Sequence, residues 1–279
     1  MRLGVLTACR RADDLARQLE SVREAGYFLC QLNLMQSGAT RADIMAIADV
    51  LLEFGMRPVA IGCYVNPMRP DEPSFMGARR EDLDNVLHSL DLLGARRVVF
   101  WSGTHADTLF DDHADNRQEH SLDMLRDFLD DVVASTRARR YSLVIEPYKA
   151  HVLRTAEAVV AFHDTLAPAT AERVEYVLDA PNLITEEQYS QRDDVAERIC
   201  RVLGPYAGVA HLKDCIMPPD GEEALPGPGQ GRLDYARYVQ AIMRNANDDV
   251  PAIVKGAAPS ELAAVRDFLL RLSDRWELT

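Results

Sequence analysis

Eight short runs of apolar, often β-branched residues alternate with longer amphipathic stretches along the 279 residues of the chain. Strands that alternate with helices favour a parallel sheet, and roughly eight such units in one run favour a closed barrel. A barrel of this kind typically takes ~250 residues. We therefore predict an α/β fold, with one (β/α)₈ barrel domain spanning residues 1–279. The predicted strands are 3–7, 28–34, 58–63, 97–101, 142–146, 174–179, 208–213 and 252–255. The predicted helices lie near 12–25, 41–55, 79–93, 121–139, 154–166, 187–203, 233–245 and 260–272.

The longer irregular segments of the sequence all follow predicted strands. These segments are 64–78, 103–120 and 214–232. In a (β/α)₈ barrel, such positions are the loops at the catalytic face. Several predicted helices also end at a glycine, as helices with a left-handed C-terminal cap do. These glycines are Gly26, Gly55, Gly94 and Gly204.

Charge and composition exclude several classes of function. The formal net charge is −13, which repels phosphate backbones and anionic membrane surfaces, so we expect no nucleic-acid or membrane partner. No apolar run approaches the ~20 residues of a membrane helix. The five cysteines are scattered without a CxxC pair, which is typical of the reducing cytoplasm. No glycine-rich phosphate-binding loop follows the first strand, so a nucleotide-binding function is not indicated.

Three predicted strands end in side chains that commonly bind metal ions. Glu146, Asp179 and His211 stand at the ends of the fifth, sixth and seventh strands. Barrel geometry directs such side chains towards one pocket. Carboxylate and imidazole donors together suit Mn²⁺, Mg²⁺, Co²⁺ or Zn²⁺. The alternative for any one of them is an ordinary surface charge at a strand end. The eighth run ends differently, in the cation Lys255.

Further polar and aromatic residues follow the same strands and are candidates for substrate contact. Lys213 shares a face with His211, so it could stabilise an enolate oxygen, contact a phosphate, or form a structural salt bridge. Each other candidate also has a structural alternative, namely a turn, a core position or a surface position. These substrate-binding candidates are His151, Asn182, Gln230, Trp101 and Asn66.

In this order, the segments resemble the xylose isomerase-like TIM barrel superfamily, in particular its sugar phosphate isomerase/epimerase group. The resemblance covers nearly the whole chain. Its most specific pieces are Ile145-Glu146-Pro147, Leu178-Asp179-Ala180-Pro181-Asn182-Leu183, His211-Leu212-Lys213-Asp214, Pro228-Gly229-Gln230-Gly231-Arg232-Leu233-Asp234-Tyr235, and Tyr64-Val65-Asn66-Pro67 followed by Asp71.

The resemblance implies a divalent metal held by a glutamate, an aspartate, a histidine and a second glutamate. Glu146, Asp179 and His211 match the first three ligands, and Lys255 falls on the second glutamate. In such enzymes the metal binds a carbonyl and a neighbouring hydroxyl of an open-chain sugar, and a carboxylate removes the adjacent proton. The resemblance also implies that copies of the barrel often pair, so a homo-oligomer is a further expectation.

Lys255 allows three arrangements of the site. Its side chain could turn away and leave a weak three-ligand metal site. Its ammonium could take the metal's place and pair with Glu146 and Asp179. Burial could instead lower its pKa, so that it acts as a neutral base or an amine nucleophile.

We therefore predict a cytoplasmic enzyme that acts on a small sugar or sugar derivative as an isomerase, epimerase or related lyase. Glu146, Lys213 and Lys255 are the predicted catalytic residues, and any metal would be weakly bound or absent because of Lys255. The rival from another class is a non-catalytic or partner-dependent sugar-binding barrel that has lost its metal. A metal-free aldolase or lyase with a Schiff base on Lys255 is a third hypothesis.

Overall fold

Eight parallel strands form a closed barrel, in which each strand pairs with the next in sequence and the eighth pairs with the first. The computed structural model describes residues 1–35, 37–136, 140–217 and 223–278. The strands are β1 (Leu3–Cys9), β2 (Leu29–Leu34), β3 (Arg57–Gly62), β4 (Arg97–Trp101), β5 (Ser142–Glu146), β6 (Val174–Leu178), β7 (Ala207–Leu212) and β8 (Ala252–Val254). The predicted (β/α)₈ fold is confirmed, and every predicted strand is found within two residues of its observed ends.

Helices follow the strands and cover the outside of the barrel. They are α1 (Ala12–Glu24), α2 (Arg41–Glu53), α3 (Arg80–Leu93), α4 (Glu119–Ser135), α5 (Ala156–His163), α6 (Pro168–Ala171), α7 (Arg192–Leu203), α8 (Tyr235–Asn245) and α9 (Leu262–Leu272). Within the described ranges, no helix is long and apolar enough to cross a membrane. All five cysteines are buried free thiols.

Two of the predicted helices have different boundaries in the structure. In place of the predicted helix 154–166 the structure has the shorter α5, and a separate four-residue helix, α6, follows it with Pro168 at its first position. The predicted start at residue 187 is wrong, because α7 begins at Arg192, directly after the short 3₁₀ turn Tyr189–Gln191. The end predicted for α4 covers 137–139, which lie outside the described residues.

The predicted terminal glycines have two different roles. Gly94 follows α3 with a φ of 69°, the left-handed conformation that glycine adopts without a steric penalty. Gly204 does not take this conformation, since its φ is −52°. Its position instead requires the absence of a side chain, because a Cβ there would lie 2.8 Å from the backbone of Asn245.

The barrel interior is filled by a layer of small and branched side chains, one from most strands. This layer contains Ala60, Val99, Val144, Val177, Val209 and Ile253, together with Tyr64 and Trp101. Side chains along a strand alternate between its two faces. The residue two positions after a layer residue therefore points to the same side, at the carboxyl end of the barrel.

This two-residue spacing positions the candidate site. Val144 precedes Glu146 by two residues, Val177 precedes Asp179, Val209 precedes His211, and Ile253 precedes Lys255. The four polar side chains therefore form the next layer above the packed interior. A one-residue change of strand register would turn them outwards among the helices.

The layer between strands and helices supplies much of the buried apolar surface, and Leu143 of β5 tests its contribution. Leu143 is fully buried, so we expect Leu143→Ala to lower the free energy of unfolding by about 2–5 kcal/mol. Urea denaturation measures the change. Leu52→Ala, at an exposed position of α2, is the matched control and should change it by less than about 0.5 kcal/mol. Equal effects of the two substitutions would contradict the assigned packing.

Candidate active site

Glu146, Asp179 and His211 converge at the carboxyl end of the barrel. One donor atom from each lies within 4.8 Å of the others, and all three side chains are buried. Above them opens a cavity of about 350 Å³, whose floor includes Glu146 and Lys255. The structure thus brings together the three ends of β5, β6 and β7 that the sequence analysis placed in one pocket.

The ammonium of Lys255 lies among the same three donor atoms. Its Nζ is 2.8 Å from Glu146 Oε1, 3.5 Å from His211 Nδ1 and 3.7 Å from Asp179 Oδ2. The Lys255 side chain is 26 % exposed, so it reaches down from the cavity to these buried groups. Lys255 thus pairs with Glu146 and Asp179, which is the pairing described in the second of the three arrangements.

Lys213 and Asn182 complete the charged floor. Lys213 Nζ donates to Asn182 Oδ1 at 2.5 Å and lies 3.2 Å from Asp179 Oδ2. Asn182 Nδ2 in turn donates to Glu146 Oε1 at 2.9 Å. Two carboxylates therefore face two ammonium groups, so these four charges sum to zero without any ion.

Two further polar residues, Gln31 of β2 and Tyr64 after β3, hydrogen-bond to Glu146 and His211. Tyr64 donates from its hydroxyl to Glu146 Oε2 at 2.7 Å, and Gln31 Nε2 donates to the Tyr64 hydroxyl at 3.2 Å. Gln31 Oε1 faces His211 Nε2 at 3.0 Å, and Asp179 Oδ2 faces His211 Nδ1 at 3.3 Å, so both ring nitrogens have a partner.

Sequence reasoning did not assign a role to Gln31, and it named Tyr64 only within the segment Tyr64-Val65-Asn66-Pro67, without a bond to Glu146. A usable signal was present, because Gln31 interrupts the apolar run of β2 and alternation places its side chain inside the barrel. A buried amide in a barrel interior requires polar partners, and these partners are the site residues.

The charges of the floor control one another's protonation. Burial opposes ionisation of Glu146, but Lys255, His211 and Lys213 outweigh it and hold the pKa of this carboxyl well below its usual range. Burial also disfavours the Lys255 ammonium, yet Glu146 and Asp179 raise its pKa above the ordinary value. For Lys213 burial dominates and lowers the pKa, although Asp179 opposes it.

The donor set can be tested against the divalent metal that the resemblance implies. Glu, Asp and His donors suit such an ion, and buried Asp179 Oδ1 has no hydrogen-bond partner among the described residues. Lys255, however, supplies a cation instead of the fourth ligand. Its Nζ takes the space between the three donor atoms, and its charge repels a second cation there. The site therefore does not fit a divalent ion while Lys255 holds its position.

The remaining predicted substrate contacts lie at different distances from this floor. Trp101 lines the cavity, with its ring centroid 4.9 Å from that of Tyr64. Asn66 and His151 instead line a separate small pocket of about 70 Å³ behind Trp101. Asn66 bonds the backbone of Thr104, and His151 Nε2 faces the Leu109 carbonyl oxygen at 3.0 Å.

Gln230 is also placed outside the cavity. It is exposed, and its side-chain oxygen accepts a hydrogen bond from the Gly227 amide at 3.1 Å. Its segment is organised by Asp214, which sequence reasoning left without a role. Asp214 accepts four backbone N–H groups at 2.8–3.0 Å, from Cys215, Gly231, Arg232 and Leu233. Gly231 is required there, because a Cβ would lie 2.3 Å from Asp214 Oδ1.

All lysines of the chain stand at this end of the barrel. The chain has 31 basic residues of the Lys and Arg types, and only Lys149, Lys213 and Lys255 are lysines. Lys149 binds the Ile184 carbonyl at 3.1 Å and Glu223 at 2.5 Å, so it holds the rim of the mouth. Only Lys213 and Lys255 reach the cavity.

Enzymes built on closed parallel barrels carry their active sites at the carboxyl ends of the strands, and this chain has its buried polar side chains at that end. The sequence matches the family model of the xylose isomerase-like TIM barrel over residues 19–269, and the chain belongs to this family.

Solved structures of low sequence identity share the fold. A structure of L-ribulose 3-epimerase is 20 % identical, with a TM-score of 0.65 over 95 % of this chain and 86 % of that one. A 3-keto-D-glucoside 4-epimerase from E. coli, in its apo form, is 16 % identical, with a TM-score of 0.65 over 98 % of each chain. A xylose isomerase-like TIM barrel protein from Mycobacterium smegmatis in complex with magnesium is 17 % identical, with a TM-score of 0.67 over 94 % and 88 %. No curated protein is close enough in sequence to count as a match.

The buried ring of His151 makes stability depend on pH. Burial lowers its pKa to about 4, so between pH 6.5 and 4 the unfolded chain binds a proton that the folded chain does not. This contribution is present above pH 6.5 and is lost as the pH falls towards 4. Between pH 7 and pH 5 we expect His151 to cost the folded state about 2 kcal/mol. His151→Gln, compared with the natural chain by urea denaturation at both pH values, should remove this loss. An equal loss in both proteins would contradict it.

Asp214 is expected to hold the loop between β7 and α8 in place. Asp214→Ala leaves the backbone N–H groups of Cys215, Gly231 and Leu233 without their acceptor, and each bond to a charged group contributes about 1.5–3 kcal/mol. Hydrogen exchange should show the amides of Gly231 and Leu233 losing protection by at least about 100-fold. Asp248→Ala, at an exposed carboxylate, is the control and should leave these amides protected. Retained protection in Asp214→Ala would show that other contacts hold the loop.

Proposed function

We propose that this chain is a sugar isomerase or epimerase, or a related lyase, that removes a proton from a carbon next to a carbonyl without a divalent metal. The observation that carries the proposal is the floor of the cavity, where one carboxylate and two ammonium groups face the same open space. Glu146, Lys213 and Lys255 all line that space.

The ammonium groups supply the electrostatic part of the proposed reaction. Removal of a proton next to a carbonyl places negative charge on the carbonyl oxygen, and fixed positive groups in a site shielded from water stabilise that charge. Lys213 is held by Asn182 and Asp179, so its charge is already oriented before substrate binds. Lys255 is more exposed and is therefore the first cation that a substrate oxygen meets.

Glu146 supplies the proposed base. Lys255 and Asn182 both bond Glu146 Oε1 in the absence of substrate, and this keeps the carboxylate weakly basic. A substrate oxygen that accepts the Lys255 ammonium would take one of these bonds from Glu146. The base would then gain proton affinity at the moment when a substrate proton lies beside it.

The proposed absence of a metal follows from charge. The floor is neutral with Lys255 in place, so a divalent ion would make it positive by two units. In the family pattern to which the sequence was compared, a glutamate stands at this position and a metal balances the extra negative charge. Lys255 therefore replaces both the ligand and the need for the ion.

A second candidate function is a sugar-binding barrel without catalysis. The observation that favours it is that both carboxylate oxygens of Glu146 already accept hydrogen bonds, from Lys255, Asn182 and Tyr64. A carboxylate held in this way by three donors is suited to a stable charged floor. Proton exchange separates this candidate from an enzyme.

The enzymatic proposal is tested by incubating the protein with a panel of ketoses in D₂O and following deuterium incorporation next to the carbonyl by NMR. Exchange is expected, and EDTA should leave its rate unchanged. Glu146→Gln should lower the rate by at least about 100-fold, because a general base contributes about 10²–10⁴-fold. Glu157→Gln, at an exposed glutamate of α5, is the matched control and should retain full exchange. No exchange with any hydroxy-carbonyl compound would favour the binding barrel, and loss of exchange in EDTA would contradict the metal-free version.

Lys255→Glu should create the metal site that the natural chain lacks. We expect Mn²⁺ to bind this variant at least about 100-fold more tightly than the natural protein, because a repelling cation becomes a ligand. Isothermal titration calorimetry measures the affinity. Lys149→Glu changes the net charge equally at the rim and should leave Mn²⁺ binding weak, which controls for general attraction. Mn²⁺ binding by the natural protein as tight as by Lys255→Glu would contradict the proposed role of the lysine.

A further inference from the structure

The cavity above the charged floor has an apolar wall. Its polar groups lie together at the bottom, whereas aliphatic and aromatic side chains line most of the rest. Six of these wall residues are Leu6, Met35, Met76, Leu109, Phe110 and Leu225. None of these six side chains carries an N–H, O–H or carbonyl group.

Five separate parts of the chain build this wall. Leu6 comes from β1 and Met35 follows β2, whereas Met76 belongs to the loop between β3 and α3. The loop between β4 and α4 supplies Leu109 and Phe110, and the loop between β7 and α8 supplies Leu225. Because all five segments contribute apolar side chains, the apolar lining extends around the whole mouth of the cavity.

The aromatic hydroxyls near the wall are engaged elsewhere. The Tyr64 hydroxyl donates to Glu146, and the Tyr148 hydroxyl interacts with Glu223. Phe110 packs edge-on against Tyr148, with ring centroids 5.9 Å apart, although its own side chain is 62 % exposed. The ring of Phe110 therefore presents an apolar edge to whatever occupies the mouth.

A free sugar matches this cavity poorly. It carries a hydroxyl on nearly every carbon, and a hydroxyl buried against aliphatic side chains loses its water without gaining a partner. The floor can satisfy the oxygens of one end only. An aryl or alkyl group at the other end would instead gain free energy in proportion to the apolar area that it buries. The cavity volume, about 350 Å³, falls within the usual range for drug-sized ligands.

We infer that the substrate is an amphipathic sugar derivative, a hydroxy-carbonyl compound whose polar end meets Lys213 and Lys255 and whose aryl or alkyl substituent lies against the wall. This inference rests on the proposed function for the chemistry of the polar end. Met76 and Leu225 are specificity-determining residues, because they form the wall from two loops on different sides of the mouth.

The test compares two hydroxyketones that differ in one group, 2-hydroxy-1-phenylethanone and 1,3-dihydroxyacetone. Calorimetric titration of the natural protein should show the phenyl compound binding at least about 30-fold more tightly. Met76→Gln keeps the volume of the side chain but adds a polar amide, so it should weaken the phenyl compound about 10-fold and dihydroxyacetone less than about 2-fold. Leu225→Asn is the second wall variant, with the same expected direction. Met45→Gln, at an exposed methionine of α2, should change neither affinity.

Equal affinities for the two ketones, or wall variants that weaken both equally, would overturn the inference. Deuterium exchange in the same samples separates it from the proposed function. Selective binding of the phenyl compound without exchange supports the apolar class while the proposed reaction fails. Exchange of 1,3-dihydroxyacetone combined with equal affinities supports the reaction while the apolar class fails.

Discussion

The pairing of the Lys255 ammonium with the Glu146 carboxylate is the interaction on which the candidate site depends. Two carboxylates buried at the end of a barrel need positive charge nearby, because an uncompensated buried ion costs several kcal/mol. Lys255 and Lys213 supply that charge from the ends of β8 and β7. The charges of these two carboxylates and two ammonium groups therefore balance without an added ion.

The position of these groups follows from the barrel itself. Strand alternation places Glu146, Asp179, His211 and Lys255 two residues beyond the packed interior layer, where donor atoms of the first three lie within 4.8 Å of one another. Neighbouring strands add Gln31 and Tyr64, which fix the His211 ring and the second oxygen of Glu146. The geometry of the floor therefore depends on the register of six strands, and no single loop determines it.

Much of this arrangement could be predicted from the sequence. Apolar runs and their spacing predict the strands, and the polar residues that end β5, β6 and β7 predict the convergence, because period-two alternation is a local property. The sequence left three arrangements of Lys255 open, including its pairing with Glu146 and Asp179, because contacts with distant segments decide which one a flexible side chain adopts. Loop residues were the least predictable. His151, Asn66 and Gln230 follow strands in sequence, yet their side chains bond to backbone atoms of the loops and lie outside the cavity.

The central claim is that a lysine ammonium occupies the place of a metal ion. Crystals grown in MnCl₂ and measured at the manganese absorption edge test this claim most directly. The account predicts no anomalous peak among Glu146, Asp179 and His211, with Lys255 Nζ within hydrogen-bond distance of Glu146. A manganese peak bonded to those three side chains, with Lys255 turned away into the cavity, would contradict it.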